Sequence, residues 1–475
     1  MRQRIPFILV CLLLLCCTLV FAGAEEQTSG AFVYELKDDG TAVILRYTGA
    51  EASLAVPAAL DGHPVTAVGP SAFLANPALT EVTLPEGVRT LGDSAFKRCD
   101  ALTKVALPAS LTEAGVNPFA GCGALAELAV APGNPNLLSE AGTLYSLNDG
   151  RLIWYAMTNA PGDYTLREGT RIIGADAFCE CDNIRKLTVP KGGVALTAIG
   201  RRAFYRCENL RAINLEDTEI STVGADAFSG CLRLSRISFP EEVTQIAERA
   251  FQDCGGLTEL NLPETITGIG EMAFRNCSRL TKVKLPEGLA AIGKNTFAGC
   301  GELTEVLLPE GLGHIGGGAF QGCAKLAKVD LPESLNYIGA DAFSGCAALE
   351  EARIPESCGY IGPGAFYNCR SLRKLTLPEE LYTINSSTFF GCGALAEVAL
   401  PEELEEIGER AFFCCVSLRE IVIPDPVEVI GDWAFAGCAA LEKVELPEDL
   451  EIVGRNTFDG CGMLKGLPDL SDLYE

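Results

Sequence analysis

Apolar residues recur along this chain with one dominant spacing. Between Phe228 and Phe458 the dipeptide Ala-Phe or Thr-Phe returns every 23 residues, in eleven consecutive copies. A Cys stands three residues after each of these Phe residues and a Leu three after that. One copy runs Leu303, Val306, Leu308, Pro309, Leu312, Ile315, Gly316, Ala319, Phe320, Cys323. The apolar residues two apart in Val306-x-Leu308 predict a half-buried strand, which Pro309 ends because it has no N–H for a ladder. Leu312 and Ile315 start a return path, Gly316 permits a tight turn, and Ala319-Phe320 is expected to roll inward over a short helical turn. A fixed period of this length marks one supersecondary unit that buries its apolar face only by stacking on its neighbours. The chain therefore reads as a solenoid.

Sixteen Phe anchors run from Phe73 to Phe458, and fifteen carry the following Cys; the first has Asn76 instead. Stacked coils lie about 4.8 Å apart, within the Cα range of a disulfide, but equivalent side chains point in parallel and keep their Cβ atoms too far apart. The ladder reads as buried free thiols, with no converging His or paired Cys-x-x-Cys to hold zinc. Off the ladder, Cys179, Cys358 and Cys414 are the better candidates for a reactive thiol.

The unit Ile/Val-Gly-x-x-Ala-Phe-x-x-Cys-x-x-Leu-x-x-Val-x-Leu-Pro resembles the BspA-like leucine-rich repeats of bacterial secreted and surface proteins. The likeness covers about residues 31 to 466. Phe32 to Leu45, Tyr47-Thr48-Gly49 and Asp61-Gly62-His63-Pro64-Val65 resemble the family's N-terminal cap. The resemblance implies an α/β-type repeat solenoid, mostly β: a right-handed curved leucine-rich-repeat solenoid with a parallel sheet on its concave face. It also implies display outside the cell for adhesion or recognition, and no catalytic residues.

The period slips where Phe119 to Phe178 spans 59 residues, thirteen more than two periods. There Thr143 to Leu147 and Arg151 to Tyr155 flank Asn148-Asp149-Gly150, a strong hairpin signal. The expected organisation is a signal peptide over 1–24, an N-terminal β cap over 25–66, repeats over 67–130, a β-hairpin island over 131–165, repeats over 166–466 and a polar tail over 467–475.

Arg2 and Arg4, the apolar run from Ile5 to Val20 and Ala22-Gly23-Ala24 compose a secretory leader. Its removal takes away two Arg and no acids, moving the net charge from −26 to −28. Such a surface repels nucleic acid and anionic lipid. No later apolar stretch reaches the length of a membrane span. The protein is expected to be secreted or held at the cell surface. Eighteen unpaired Cys in the mature chain then imply a reducing or anaerobic habitat.

Three surface patterns remain. The outward strand position alternates in sign through Glu259, Lys282, Glu305, Lys328, Glu351, Lys374 and Glu397, either a register-fixing ladder on the concave face or a zwitterionic platform for a ligand. The position after the strand Pro is a like-charge column from Glu264 through Glu287, Glu310, Glu333, Glu356, Glu379, Glu402 and Asp425 to Glu448, read as a solvated edge or a weak site for a divalent cation or a basic partner. The residue after the core Phe is aromatic in three successive units, Tyr367, Phe390 and Phe413, and Tyr337 and Tyr360 add to that stretch. These five rings are the candidate partner-binding residues.

Only His63 and His314 are present, no phosphate loop occurs, and neither cofactor nor metal is expected. The sequence supports a non-enzymatic recognition or adhesion protein binding a protein or glycan, on a host surface or matrix. A self-associating structural envelope component is the alternative.

Overall fold

The computed structural model describes residues 25–158, 162–192, 195–448 and 450–465. The expected leader and tail lie outside them. The chain forms two compact units: one runs to Cys122 and takes in Ala129–Pro135, and the other comprises Gly123–Leu128 and everything from Asn136 onward. Each is a β-solenoid of stacked parallel strands, with no helix among the described residues.

The first unit opens with three antiparallel strands, Gln27–Ser29, Phe32–Leu36 and Ala42–Tyr47. The third of these pairs in parallel with His63–Val68 and so starts a ladder that continues through Thr90–Leu91 to Glu113–Ala114. The second unit repeats the arrangement. Leu137–Glu140, Thr143–Ser146 and Arg151–Trp154 pair antiparallel, and Arg151–Trp154 then pairs in parallel with Ile172–Ile173. The hairpin expected as an island thus begins the short-strand ladder that passes through Ala198–Ile199, Thr222–Val223 and Gln245–Ile246 to Gly268–Ile269.

Both openings place a tyrosine in the aromatic column. The Tyr47 ring centroid lies 5.3 Å from that of Phe73, and Tyr155 lies 4.7 Å from Phe178. Their backbone N–H groups donate to Ala72 and Ala177, as Phe320 does to Ala342. From there Phe rings stack nearly parallel, for example Phe251 on Phe274 at 5.4 Å and 3°. The column is buried from Tyr47 to Phe435, with only its last ring, Phe458, partly exposed, and apolar burial of this kind is the main force holding the coils together.

The expected helical turn around each Phe is absent. Its place is taken by consecutive turns hinged on left-handed residues, such as Asn295 (φ 55°) and Gly299 (φ 76°). The reason is where the backbone hydrogen bonds go. The N–H of Phe297 donates to Ala319 and that of Gly299 to Gln321, both in the next coil, so these donors are not free for helical bonds within the segment.

The cysteines among the described residues are free thiols, as the parallel geometry of the ladder requires. Each ladder thiol has a defined acceptor: Cys323 Sγ donates to the Phe297 carbonyl at 3.3 Å and Cys346 Sγ to Phe320 at 3.3 Å. Asn76, the exception in sequence, serves in kind, its Nδ2 donating to Gly49 at 2.8 Å.

The Gly after the inward Ile is closely hemmed in by the preceding coil in most repeats, although Ala247 stands at the same position after Ile246. A Cβ on Gly362 would come 2.4 Å from the Ala340 nitrogen of the preceding coil. Asn385 occupies this position one coil later and bridges the gap with its side chain, Nδ2 donating to the Ile361 carbonyl at 2.7 Å. The short-strand pairing lapses there, between Tyr360–Ile361 and Thr383–Ile384.

Candidate interaction surface

The three-residue strands put their middle side chain inward and the flanking two outward, which gathers the alternating charges on one face of the second unit. Parallel register sets Lys282 opposite Glu305 and Glu351 opposite Lys374. The first pair closes to 2.7 Å and the second to 4.0 Å. Lys328 bridges in register to Glu305 but turns its ammonium to Asp330 on its own segment, at 2.9 Å. Glu259 and Glu397 form no ion pair among the described residues. The alternation is therefore only partly realised as contacts.

The aromatic candidates form two stacks. Tyr367 lies 4.5 Å from Phe390 and Phe390 lies 4.8 Å from Phe413, with rings 16° and 13° from parallel. Trp433 adds a tilted ring 6.5 Å from Phe413. In the other stack Tyr337 lies 4.9 Å from Tyr360, and His314 completes it, 4.3 Å from Tyr337 and nearly parallel. Tyr360 is exposed and the other four expected rings are half-buried. His314 and Trp433 were not among the sequence candidates; His314 stands one period before Tyr337, the signal that could have found it.

The strand face carries two recesses. One, of about 420 Å³, is lined by Glu259, Leu260, Lys282, Val283, Lys284 and Glu305. The larger, of about 1080 Å³, extends from Arg373 and Lys374 across Glu397 to Leu400 and on to Glu420 and Asp425. It lies where the coil bearing Asn385 comes round to the strand face. Lys374–Thr376 and Glu420–Val422 are strands on either side, but Glu397–Ala399 between them forms no ladder bonds. The inward residues Leu375, Val398 and Leu400 are only partly buried and floor the recess.

The acidic column has a structural use in places. A Glu86 carboxylate accepts the Ala109 and Ser110 N–H groups, and Glu264 and Glu356 accept those of Glu287 and Glu379. The Ala109 bond foremost holds Glu86 below the usual carboxylate range, and the Lys284 contact does the same for Glu264. Of the off-ladder thiols, Cys358 is buried and Cys179 and Cys414 are half-buried. Burial pushes Cys179 up to about 12 and Cys358 up to about 11. His63 Nδ1 lies 3.0 Å from the Gly40 carbonyl. No group of three or more His, Cys, Asp or Glu among the described residues is placed to hold a metal ion.

A family profile described as BspA type leucine rich repeat region (6 copies) matches residues 63–141, 162–277, 244–373 and 359–471. Among solved structures, a leucine-rich repeat protein from Bacteroides ovatus is similar at 24% identity, covering 94% of this chain and 97% of that one, with a TM-score of 0.44. A leucine rich cell surface protein from Faecalibacterium prausnitzii is similar at 22% identity, covering 95% and 97%, with a TM-score of 0.37. The pneumococcal vaccine antigen PcpA is similar at 15% identity, covering 66% and 93%, with a TM-score of 0.34. Comparison with curated proteins found no match.

Proposed function

We propose, from the premise that the chain belongs to the BspA-type leucine-rich-repeat family, that it is a non-enzymatic extracellular recognition or adhesion protein. It binds a protein partner through the strand face of its second unit. The observation that carries this reading is the 1080 Å³ recess, a concave site of ligand-binding size with an apolar floor and a charged rim. A secreted or surface location agrees with the family and with the leader-like residues 1–24. Among the described residues no helix is long and apolar enough to cross a membrane.

Protein is favoured over glycan by the lining of the recess: it holds aliphatic and charged side chains and no aromatic ring for a sugar face to stack on. Catalysis is not part of the proposal: His314 is held in a ring stack and His63 sits against a backbone carbonyl. A second reading, self-association as an envelope component, draws on the exposed Tyr360, Tyr382 and Val422.

The test is a binding screen of residues 25–475 against immobilised extracellular-matrix proteins, mucins and glycans, beside light scattering over a range of concentrations. Retention on a protein ligand with a monomeric free state supports recognition. Growth of oligomers with concentration and no retained ligand would replace it with the envelope reading.

A further inference from the structure

The basic residues on the rim of the large recess are already engaged outside it: Arg373 pairs with Glu350 at 2.9 Å and Lys374 with Glu351 at 4.0 Å. The acids are not. Glu397, Glu402, Glu420 and Asp425 are exposed, line the recess and make no ion pair or side-chain hydrogen bond among the described residues. Their equivalents elsewhere do, as Glu305 does with Lys282 and Glu264 with the Glu287 N–H. Lys443, in register with Glu420, turns away to Glu445. Four carboxylates at the recess thus have no ion-pair partner among the described residues, while its two cations, Arg373 and Lys374, pair outside it.

Its floor is apolar and lies between the acids. Glu397 and Glu402 bracket Val398 and Leu400 along the chain, while Glu420 and Asp425 bracket Val422 and Ile423. Resting on the strand-face reading above, we infer that this recess takes an extended, basic segment of a partner polypeptide in which Lys or Arg flanks an apolar residue. The cationic heads meet the paired carboxylates and the apolar side chain covers Val398 and Leu400. Complementary charge of this kind steers encounter and fixes register, while the desolvated apolar contact holds the complex. An extended segment reaches the floor where a broad folded surface would stop at the rim. A simple cation would neutralise the rim and leave the floor wet, and nucleic acid is repelled.

The test uses residues 25–475 and a fluorescent short peptide repeating Lys-Leu-Lys-Ser, read by polarisation. Peptides repeating Lys-Ser-Lys-Ser and Glu-Leu-Glu-Ser are the controls. The quadruple variant Glu397→Gln, Glu402→Gln, Glu420→Gln, Asp425→Asn is compared with Glu241→Gln, Glu242→Gln, Glu287→Gln, Glu310→Gln, which removes equal charge from exposed positions outside the recess. The expected result is tighter binding of the Lys-Leu peptide than of either control. Its affinity should fall about tenfold in the recess variant, the size of a few exposed ion pairs acting together, and stay near wild type in the other. Ala399→Trp, which fills the recess without touching its charge, should also abolish binding. Equal loss in both quadruple variants, equal binding of Lys-Ser-Lys-Ser, or no binding of Lys-Leu-Lys-Ser by the wild type overturns the inference. A protein ligand retained in the screen by the recess variant as well as by the wild type would sink this inference and leave the recognition reading standing. An empty screen would sink the reading itself.

Discussion

The thiol of Cys323 donates to the carbonyl oxygen of Phe297, 3.3 Å away in the preceding coil. The same carbonyl accepts the Cys300 N–H of its own coil at 3.2 Å. Both lone pairs of a buried oxygen are thereby used, which explains why this position holds a small apolar residue with a hydrogen to donate. Replacing Cys323 with Ala should lower stability by about 1–2 kcal/mol, through a small cavity and a lost hydrogen bond. Cys323→Ser, which keeps the donor, should lose less than Cys323→Ala. Urea titrations followed by circular dichroism rank them, and an alanine variant as stable as wild type refutes the role.

The buried thiols also set a pH limit. Burial pushes Cys300, Cys369 and Cys415 up to about 12, while an unfolded thiol ionises near ~8.5. The folded state thus holds these protons more tightly. Stability is at its full value below the unfolded pKa and falls as pH rises from about 9 towards 12, with a slope set by the number of thiols that ionise on unfolding. Urea midpoints that stay level between pH 8 and pH 11 would contradict this.

Denatured without reductant, the mature chain should titrate about eighteen thiols with Ellman's reagent, the number found free. In the native state the buried thiols should resist the reagent, and Cys179, half-buried but with its thiol pushed up to about 12 by burial, should react slowly as well. A count near zero after denaturation would mean that the ladder has been oxidised.

Gly362→Ala should destabilise by about 1–3 kcal/mol, because the new Cβ lands 2.4 Å from the Ala340 nitrogen and forces two coils apart. Asn385→Gly should be far better tolerated, since the position is Gly in the neighbouring coils. Thermal melts compare the two. Similar losses would show that Asn385 is tuned to its place.

The fold was legible wherever identical letters recur. The Phe column, the inward Ile and the free thiols follow from a period of 23 residues. What escaped notice has no letter of its own. Tyr155 belongs to the aromatic column and stands one period before Phe178, but as a Tyr on the expected hairpin island it is not marked as one of the Phe anchors. The Cys acceptor is a backbone carbonyl, invisible in sequence. The lapse in strand pairing at Glu397–Ala399 is equally hidden, because Glu397-Val398-Ala399 has the same polar-apolar pattern as the paired Glu305-Val306-Leu307. Only Asn385, standing where Gly is expected, marks that coil as different. For the surface, the charge alternation is visible in the letters, but which charges remain unpaired depends on rotamers that spacing does not specify.

A chain of residues 123–475 should fold without what precedes it, because it carries the whole second unit with its own opening strands and its own Tyr155 over the first Phe. A chain starting at residue 166 lacks both and should aggregate. Circular dichroism and gel filtration distinguish them; equal behaviour would deny the opening strands a capping role.

The second set of opening strands has a consequence for how faults spread. In an uninterrupted array each coil is templated by the one before, so a coil that fails to close leaves every later coil without a surface to build on. A fresh start at Leu137 gives the later coils a template independent of the earlier ones. The recess around Glu397 belongs to the unit that this second start serves, so a fault before Cys122 need not reach it through the stacking of coils.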